Sequence, residues 1–342
     1  MRRIIISVFL VLTLTTVDTV AQNNPVDIFE QVWNLYDTSY SGFIHKDIDW
    51  DKLYSIYQPQ INENTSESEL FTVIGDMLRH LNDNHVQVSI EEPLQHFSAG
   101  LFGYLIGDIG IDSTLTILYS NPVLENYFKK GLHTLNHFSY GWLKDSIGYF
   151  HFSEFKNIEE TKKNMDTIIH FFSSSKALIV DVRRNLGGEE EVVKAIADYF
   201  ADKKRKYMIT SYKNGPGHND FTDKTIWYVE PNKSINYLKP VILLIDNSSF
   251  SGAETFSMAM REIPHVTLVG DNTSGAYADC RWIVLSNGWN VCVPYSFHRD
   301  KNGFCWEGIG MSPDYYIKTD LKKPIKEKDD LIEFALKLIN SK

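Results

Sequence analysis

Apolar residues near the start of the chain recur at the three- and four-residue spacing of amphipathic helices. One predicted helix has the apolar positions Phe29, Val32, Trp33 and Tyr36. A second has Leu70, Phe71, Ile74, Met77, Leu78 and Leu81. Ser66 and Glu69 match a capping box at the start of the second helix. Residues 86–90 then alternate like a β-strand. The pattern predicts a small N-terminal helical subdomain over residues 22–93.

From residue 147 onward the pattern changes to short buried strands that alternate with helices. The predicted strands are 177–182, 241–245 and 266–269, and the predicted helices are 189–200 and 252–262. This order favours parallel strands joined by helical crossovers. Residues 202–240 are polar and turn-rich. The sequence therefore predicts an α/β core over residues 146–342.

The segment 94–145 between these two regions contains glycines and short β-like runs without a long period. It is predicted to be a small β-rich insert or linker.

The first 21 residues have the features of a secretory signal peptide: Arg2 and Arg3, an apolar run over residues 4–14, and a small residue at Ala21. The apolar run is shorter than the roughly 20 residues that cross a bilayer. We expect an exported protein, periplasmic or extracellular, without a stable membrane span.

Charge and cysteine content exclude several classes of function. The formal charge of −10 becomes −11 after residues 1–21 are removed, so the surface repels nucleic acid. Cys280, Cys292 and Cys305 are odd in number and permit at most one disulfide. They lack the close spacing of a zinc motif. We expect neither a metal nor an organic cofactor.

Ser251 is the candidate nucleophile. It lies between the predicted strand 241–245 and the predicted helix 252–262, where free N–H groups and the helix dipole favour a developing oxyanion. Gly252 lets a substrate approach the backbone closely. The alternative is structural, because Ser251 and Glu254 also match a capping box.

Three further features have a functional and a structural interpretation. Gly187 and Gly188 follow a predicted strand and point N–H groups into a cleft, or form an ordinary strand-to-helix turn. His85 is a candidate general base, or one of eleven histidines with a structural role. Glu307 stands in a glycine-rich loop, where a carboxylate is usually solvated.

Taken together and in order, these features resemble the serine peptidase family that includes tricorn protease and the C-terminal processing, or tail-specific, peptidases. Residues 81–85 resemble the family's histidine motif, residues 181–188 its D-x-R-x-N-x-G-G loop, and residues 250–254 its S-x-x-E nucleophile motif. Residues 270–275 resemble its G-E-x-T-x-G stretch, and residues 307–314 its E-x-x-G-x-x-P-D motif. The resemblance extends from Phe29 to Ile317. It implies a ClpP/crotonase-like α/β core with a parallel-rich sheet, preceded by the small helical subdomain.

The resemblance also implies roles for individual residues. Processing peptidases use a lysine about 25 residues after the serine, and Ala276 stands there. The tricorn-like branch uses a histidine, which implies that His85 is the base and that Glu307 supports it. Tricorn has a serine before its histidine, whereas Asn84 stands here and can relay hydrogen bonds only as an amide. Residues 95–145 are too few for the complete PDZ domain of the processing peptidases.

The expected activity is hydrolysis of peptide bonds in a peptide or an unfolded protein. Ser251 would form the acyl-enzyme, and Gly187 or Gly188 with Gly252 would hold the oxyanion. Two alternatives remain open, a binding protein on the same fold and an esterase or amidase for small substrates. Cleavage preference and oligomeric state do not follow from the sequence.

Overall fold

The computed structural model describes residues 24–90, 95–99, 127–128, 131–321 and 328–341. The predicted signal peptide lies outside these residues, as does most of the predicted insert. No helix in the described ranges is long and apolar enough to cross a membrane. All three cysteines are free thiols.

Helices precede the strands of the main sheet and alternate with them. The helices are α1 (Pro25–Ser39), α2 (Trp50–Tyr57), α3 (Glu67–Arg79), α4 (Ile158–Phe171), α5 (Glu190–Ala197), α6 (Gly252–Arg261) and α7 (Asp330–Asn340). The strands are β1 (Gln87–Ile90), β2 (Gln95–Ser98), β3 (His133–Leu135), β4 (Phe138–Trp142), β5 (Ile147–Phe152), β6 (Ala177–Asp181), β7 (Arg205–Tyr212), β8 (Thr225–Val229), β9 (Val241–Ile245), β10 (Val266–Gly270), β11 (Cys280–Val284), β12 (Asn290–Pro294), β13 (Ser296–Asp300) and β14 (Tyr315–Tyr316).

The main sheet has the strand order β14-β10-β9-β6-β5-β4-β3. Strands β5, β6, β9, β10 and β14 are parallel, which confirms the predicted α/β core. Alternate residues of β6 contribute to two apolar clusters. Val180 belongs to the cluster that contains α4, α5 and α6, whereas Ile179 belongs to the cluster that contains α7. Both faces of the sheet are therefore covered, which explains the uninterrupted apolar strands.

The main sheet extends across the predicted boundary at residue 146, because β3 and β4 belong to it. Strand β4 pairs antiparallel with β5, placing Phe138 opposite Phe152. Both side chains are fully buried in the cluster beside α4. This hairpin edge was not recognisable because β3 and β4 are short and pair with a strand on the other side of the predicted boundary.

Helices α1 and α3 form where predicted, and α3 begins with the predicted capping box. They do not form a core alone. A second sheet with the order β11-β12-β1-β2 brings residues from the far end of the chain against them. Trp289 and Val291 pack in one cluster with Phe29 and Leu78. The predicted subdomain 22–93 is thus completed by residues that lie about two hundred positions later.

The polar region 202–240 contains two strands that the sequence pattern did not reveal. Strands β7 and β8 form a third sheet with β13, in the order β13-β7-β8.

Candidate active site

Ser251 is the residue at the turn between β9 and α6. It precedes the first residue of α6 and has φ 55° and ψ −118°. A non-glycine residue with this positive φ is strained by about 1–3 kcal/mol, and such strain is common at functional sites. The Ser251 side chain is partly exposed.

The neighbouring serines have structural roles. Ser248 and Ser249 are fully buried. The Ser248 hydroxyl donates to Asp246 and accepts the N–H of Arg184 at 2.8 Å. The Ser249 hydroxyl donates to the carbonyl of Val182 at 2.9 Å. Of the three serines in this turn, Ser251 is therefore the one that a substrate can reach.

Glu254 has the predicted capping role and a second one. Its carboxylate accepts the N–H of Ser251 at 3.2 Å, and also the N–H groups of Gly275 and Ala276 at 2.7 Å each. Burial raises the pKa of Glu254 to about 7. The first turn of α6 is thereby attached to the loop after β10. Ala276, which stands at the position of the lysine base in the processing peptidases that the motifs resemble, is fully buried in this loop.

The first half of the loop 181–188 is structural. Asp181 and Arg183 form a buried ion pair, with Nη2 2.6 Å from Oδ2, and the same guanidinium reaches Asp329 at 2.8 Å. Asp329 is the N-cap of α7. The ion pairs fasten the end of β6 to the C-terminal helix. The D-x-R part of the motif thus holds the fold together beneath the site.

The second half of the loop lies against Ser251. A Cβ added to Gly187 would be 2.6 Å from Cβ of Ser251 and 2.5 Å from the nitrogen of Gly252, so a side chain there is excluded. A Cβ added to Gly252 would be 3.0 Å from the nitrogen of Gly188. The N–H groups of Gly188 and Gly252 have no acceptor among the described residues. The nitrogens of Gly188 and Gly252 thus lie close together beside the candidate nucleophile.

The predicted choice of Gly187 as an oxyanion donor conflicts with the structure. Its N–H donates to Oδ1 of Asn185 at 2.8 Å. The Asn185 amide in turn donates to the carbonyl of Phe152 at 2.9 Å. Gly187 therefore provides space rather than a free donor.

His85 is buried, with 3% of its surface exposed. Its ring centroid is 4.6 Å from that of Phe250, the residue before Ser251. Nδ1 has no hydrogen-bond partner among the described residues. Burial lowers the pKa of His85 to about 4, although the charges of Asp83 and Asp279 oppose this shift. The imidazole is therefore neutral at pH 7.

Sequence reasoning missed the group that holds the histidine loop. Asp83 accepts the backbone N–H of His85 at 2.9 Å and the Tyr40 hydroxyl at 2.7 Å. Lys46 lies 3.3 Å from the same carboxylate and donates to the carbonyl of Leu81 at 2.8 Å. The only available signal was an acidic residue two positions before the candidate histidine.

Glu307 is buried, contrary to the expectation for a loop carboxylate. Its Oε2 accepts the N–H groups of Tyr277 and Ala278 at 2.7 and 3.0 Å. Its Oε1 is buried without a partner in the described chain. Burial, together with the charge of Asp83, raises the pKa of Glu307 well above its usual range.

Asp83, His85 and Glu307 each offer one atom within 4.8 Å of the other two. Such a group of ligand types can hold a metal ion, but the ammonium of Lys46 already lies against the Asp83 carboxylate. A second cation there would meet that positive charge. The cluster is better suited to proton transfer.

Asn84 does not continue this cluster through its amide N–H groups. Its Nδ2 donates to the carbonyl and to the hydroxyl of Ser274, both at 2.8 Å. Ser274 precedes the loop residues that Glu254 holds. Asn84 thus links the histidine segment to the loop after β10.

A second histidine–carboxylate pair adjoins His85. Nε2 of His298 lies 3.4 Å from Asp279 and 3.1 Å from the Ser296 hydroxyl. The charge of Asp279 raises the pKa of His298 against the opposing effect of burial. The sequence contained no motif that marked this pair.

Comparison with known proteins identifies the relatives of this chain. The model of Peptidase family S41 matches residues 146–317, which is half of the chain, and that of the Tricorn protease C1 domain matches residues 22–79. The first match contains Ser251 and Glu307, whereas His85 lies between the two. These matches confirm the family resemblance.

Individual proteins of known sequence or structure are also similar to this chain. The crystal structure of a Parabacteroides merdae protein provisionally assigned as a peptidase is 29% identical, with a TM-score of 0.77, covering 92% of this chain and 96% of that one. Carboxy-terminal processing protease CtpA of Bacillus subtilis is 30% identical over 139 residues, which are 40% of this chain and 28% of that protein. Tricorn protease shares the fold, with a TM-score of 0.57 and 15% identity over 93% of this chain and 37% of tricorn. The chain thus spans less than a third of the length of CtpA.

Proposed function

The chain belongs to peptidase family S41, a family of serine-type peptidases, and we propose that it hydrolyses peptide bonds through an acyl-enzyme on Ser251. The observation that carries this proposal is the approach of Gly188 to Gly252. Two N–H groups without acceptors in the described chain lie close together beside a partly exposed serine. A strand-to-helix turn with a structural serine needs no such pair.

In the proposed first step His85 takes the proton of the Ser251 hydroxyl as its oxygen attacks the substrate carbonyl carbon. The N–H groups of Gly188 and Gly252 hold the resulting oxyanion. His85 then passes the proton to the leaving amine, and the peptide bond breaks. Water releases the acyl group by the reverse sequence, again with His85 as base.

His85 is suited to this role because its imidazole is neutral at pH 7 and lies beside Phe250. Glu307 supports it in the proposed mechanism. The carboxylate lies close to the imidazole, with Oε2 held by two backbone N–H groups and Oε1 available. A negative charge on Glu307 stabilises the imidazolium that forms during attack. Asn84 acts on the loop through Ser274 in this proposal rather than as a proton relay.

The proposed setting is outside the cytoplasm, periplasmic or extracellular, because the first 21 residues have the sequence features of a secretory signal. The proposed substrate is a peptide or an unfolded protein.

The test is covalent labelling of the purified protein with a fluorophosphonate, read by peptide mass spectrometry, alongside hydrolysis of dye-labelled casein. Labelling is expected at Ser251 and should disappear in Ser251→Ala and His85→Ala. Ser257→Ala is the matched control, because Ser257 is a buried hydroxyl on the same helix that donates to Ala253. It should leave both signals intact.

A folded wild-type protein that takes up no probe and cleaves no casein would contradict the proposal. Equal labelling of Ser251→Ala would place the reactive group elsewhere.

A further inference from the structure

A carboxyl group that the proposed mechanism does not use joins the start of α5 to the first turn of α6. Oε2 of Glu190 accepts the hydroxyl of Thr255 at 2.7 Å. Oε1 of the same group accepts the hydroxyl of Tyr207, in β7, at 2.8 Å. The Thr255 hydroxyl also lies 3.2 Å from the carbonyl oxygen of Gly252. Glu190 is therefore held by hydroxyls on two other elements, and one of them contacts the residue after Ser251.

A backbone hydrogen bond joins the same two segments just before the glycines beside Ser251. The N–H of Phe250 donates to the carbonyl of Asn185 at 3.0 Å. Gly188 follows Asn185 by three residues. Gly252 follows Phe250 by two residues. The side-chain hydrogen bond at the start of α5 and α6 comes after both glycines, so the pair lies between two hydrogen bonds.

The packing between α5 and α6 beside the side-chain hydrogen bond is apolar. A Cβ added to Gly252 would be 3.2 Å from Cγ2 of Val193, in α5. Val193, Ala253 and Phe256 belong to one apolar cluster. Apolar packing has no preferred direction, whereas a hydrogen bond weakens steeply when its angle changes. The Thr255 hydroxyl therefore supplies a directional contact on this side of the glycines.

This contact can persist in both protonation states of Glu190. Burial raises the pKa of its carboxyl to about 7, so both forms are present near neutral pH. The ionised form accepts the Thr255 hydroxyl. The neutral form can donate to Oγ1 of Thr255 while that hydroxyl donates to the carbonyl of Gly252, because a hydroxyl both donates and accepts. A glutamine amide at position 190 can donate in the same way.

We propose that Glu190 and Thr255 are positioning residues that keep the N–H groups of Gly188 and Gly252 aligned for the oxyanion. This inference rests on the proposed peptidase function. Neither side chain has to touch the substrate, since both act through the glycine pair. Both residues lie just outside the family motifs described above.

Thr255→Val removes the hydroxyl and keeps the branched shape of the side chain. Fluorophosphonate labelling of Ser251 should slow about tenfold or more, a part of the roughly 10²–10³-fold effect of losing a whole oxyanion donor. In casein hydrolysis kcat should fall by a similar factor with KM unchanged, because the alignment acts in the transition state. Thr255→Ser and Glu190→Gln retain the hydrogen bond and should retain most of the labelling rate.

Ser257→Ala is the matched control for the loss of a buried hydroxyl on α6. The Ser257 hydroxyl donates to the carbonyl of Ala253 at 2.7 Å, within the helix. This variant should be labelled at the wild-type rate. Thermal unfolding checks that each variant is folded at the assay temperature, so that a slower rate reports the position of the donors and not a loss of folded protein.

A double-mutant cycle on stability tests the contact without catalysis. Glu190→Met, Thr255→Val and the double variant are unfolded with urea. Either single change breaks the same hydrogen bond, so the double variant should lose less free energy of unfolding than the sum of the two single losses.

Additive losses in this cycle, or a wild-type labelling rate in folded Thr255→Val, would overturn the proposal. Failure of the peptidase function has a different signature. Wild-type protein would then neither take up the fluorophosphonate nor cleave casein, while the coupling between Glu190 and Thr255 would remain.

Discussion

Oδ1 of Asn185 accepts the N–H of Gly187 at 2.8 Å and so leaves Gly188 as the loop donor that faces Gly252. Asn185→Ala removes this acceptor and leaves a buried N–H unpaired. We expect a loss of about 1–3 kcal/mol in the free energy of unfolding, and a fall in kcat because the donor pair loses its alignment.

Thermal unfolding and casein hydrolysis measure the two effects. Asn164→Ala is the matched control, because Asn164 is buried with an Nδ2 that has no partner in the described chain. It should preserve kcat. Unchanged kcat in folded Asn185→Ala would show that this hydrogen bond does not align the site.

The acid limit of activity should lie near pH 4. Burial lowers the pKa of His85 from 6.5 to about 4, and a general base acts only in its unprotonated form. The pH profile of kcat/KM checks this in Glu254→Gln/Glu307→Gln, which lacks the two buried carboxyls whose raised pKa values would add an acid limb of their own. In that variant activity should stay constant from pH 7 to pH 5.5 and fall by half near pH 4. An acid limb at pH 6–7 in the same variant is the contrary result.

Glu307→Gln and Glu307→Ala should separate charge from structure. The amide retains an oxygen for the N–H groups of Tyr277 and Ala278 but lacks the negative charge that supports the imidazolium. We expect Gln to lower kcat about tenfold or more with little change in stability. Ala should also destabilise the fold by about 1–3 kcal/mol, since two donors lose their acceptor. Equal activity of Glu307→Gln and wild type would remove Glu307 from the mechanism.

Asp83→Asn should weaken both the fold and the candidate site. It leaves the ammonium of Lys46 without its carboxylate partner in a largely buried position. We expect a loss of about 3 kcal/mol, at the lower end for a broken buried pair because Lys46 is 14% exposed. Adding Lys46→Met should recover part of this stability without restoring full kcat. Chemical unfolding curves of the single and double variants test the coupling, and simple additivity would argue against it.

Arg183→Met should destabilise the protein strongly, because Asp181 and Asp329 would remain as buried carboxylates without their shared cation. The expected loss is about 3–5 kcal/mol. Unfolding by urea at pH 7 measures it. Arg205→Met breaks a more exposed ion pair with Asp202 and should cost less than about 1 kcal/mol. A similar small loss in Arg183→Met would contradict the structural role of the motif.

Local sequence patterns predicted the helices and strands whose ends and apolar positions are set by neighbouring residues in the chain. Strand β9 and helix α6 form where predicted, because an apolar run ends at a turn and a capping residue begins the helix. The capping box of α3 is likewise contained within a few residues. The family motifs then gave the order of the candidate site residues along the chain.

Long-range pairing limited the prediction of the fold. Strand β4 is a main-sheet strand because Phe138 pairs opposite Phe152, and five or six residues alone do not reveal their partner. The core of the helical region similarly includes Trp289, which lies in the turn just before β12.

The sequence by itself determined the α/β core, the family and the position of Ser251 at the start of a helix, since these depend on local periodicity and ordered motifs. Tertiary structure decided which groups have their hydrogen bonds satisfied. It assigned the N–H of Gly187 to Asn185, buried Glu307 against two backbone N–H groups, and placed Lys46 against Asp83. These outcomes depend on desolvation and on contacts between distant segments, which no local pattern contains.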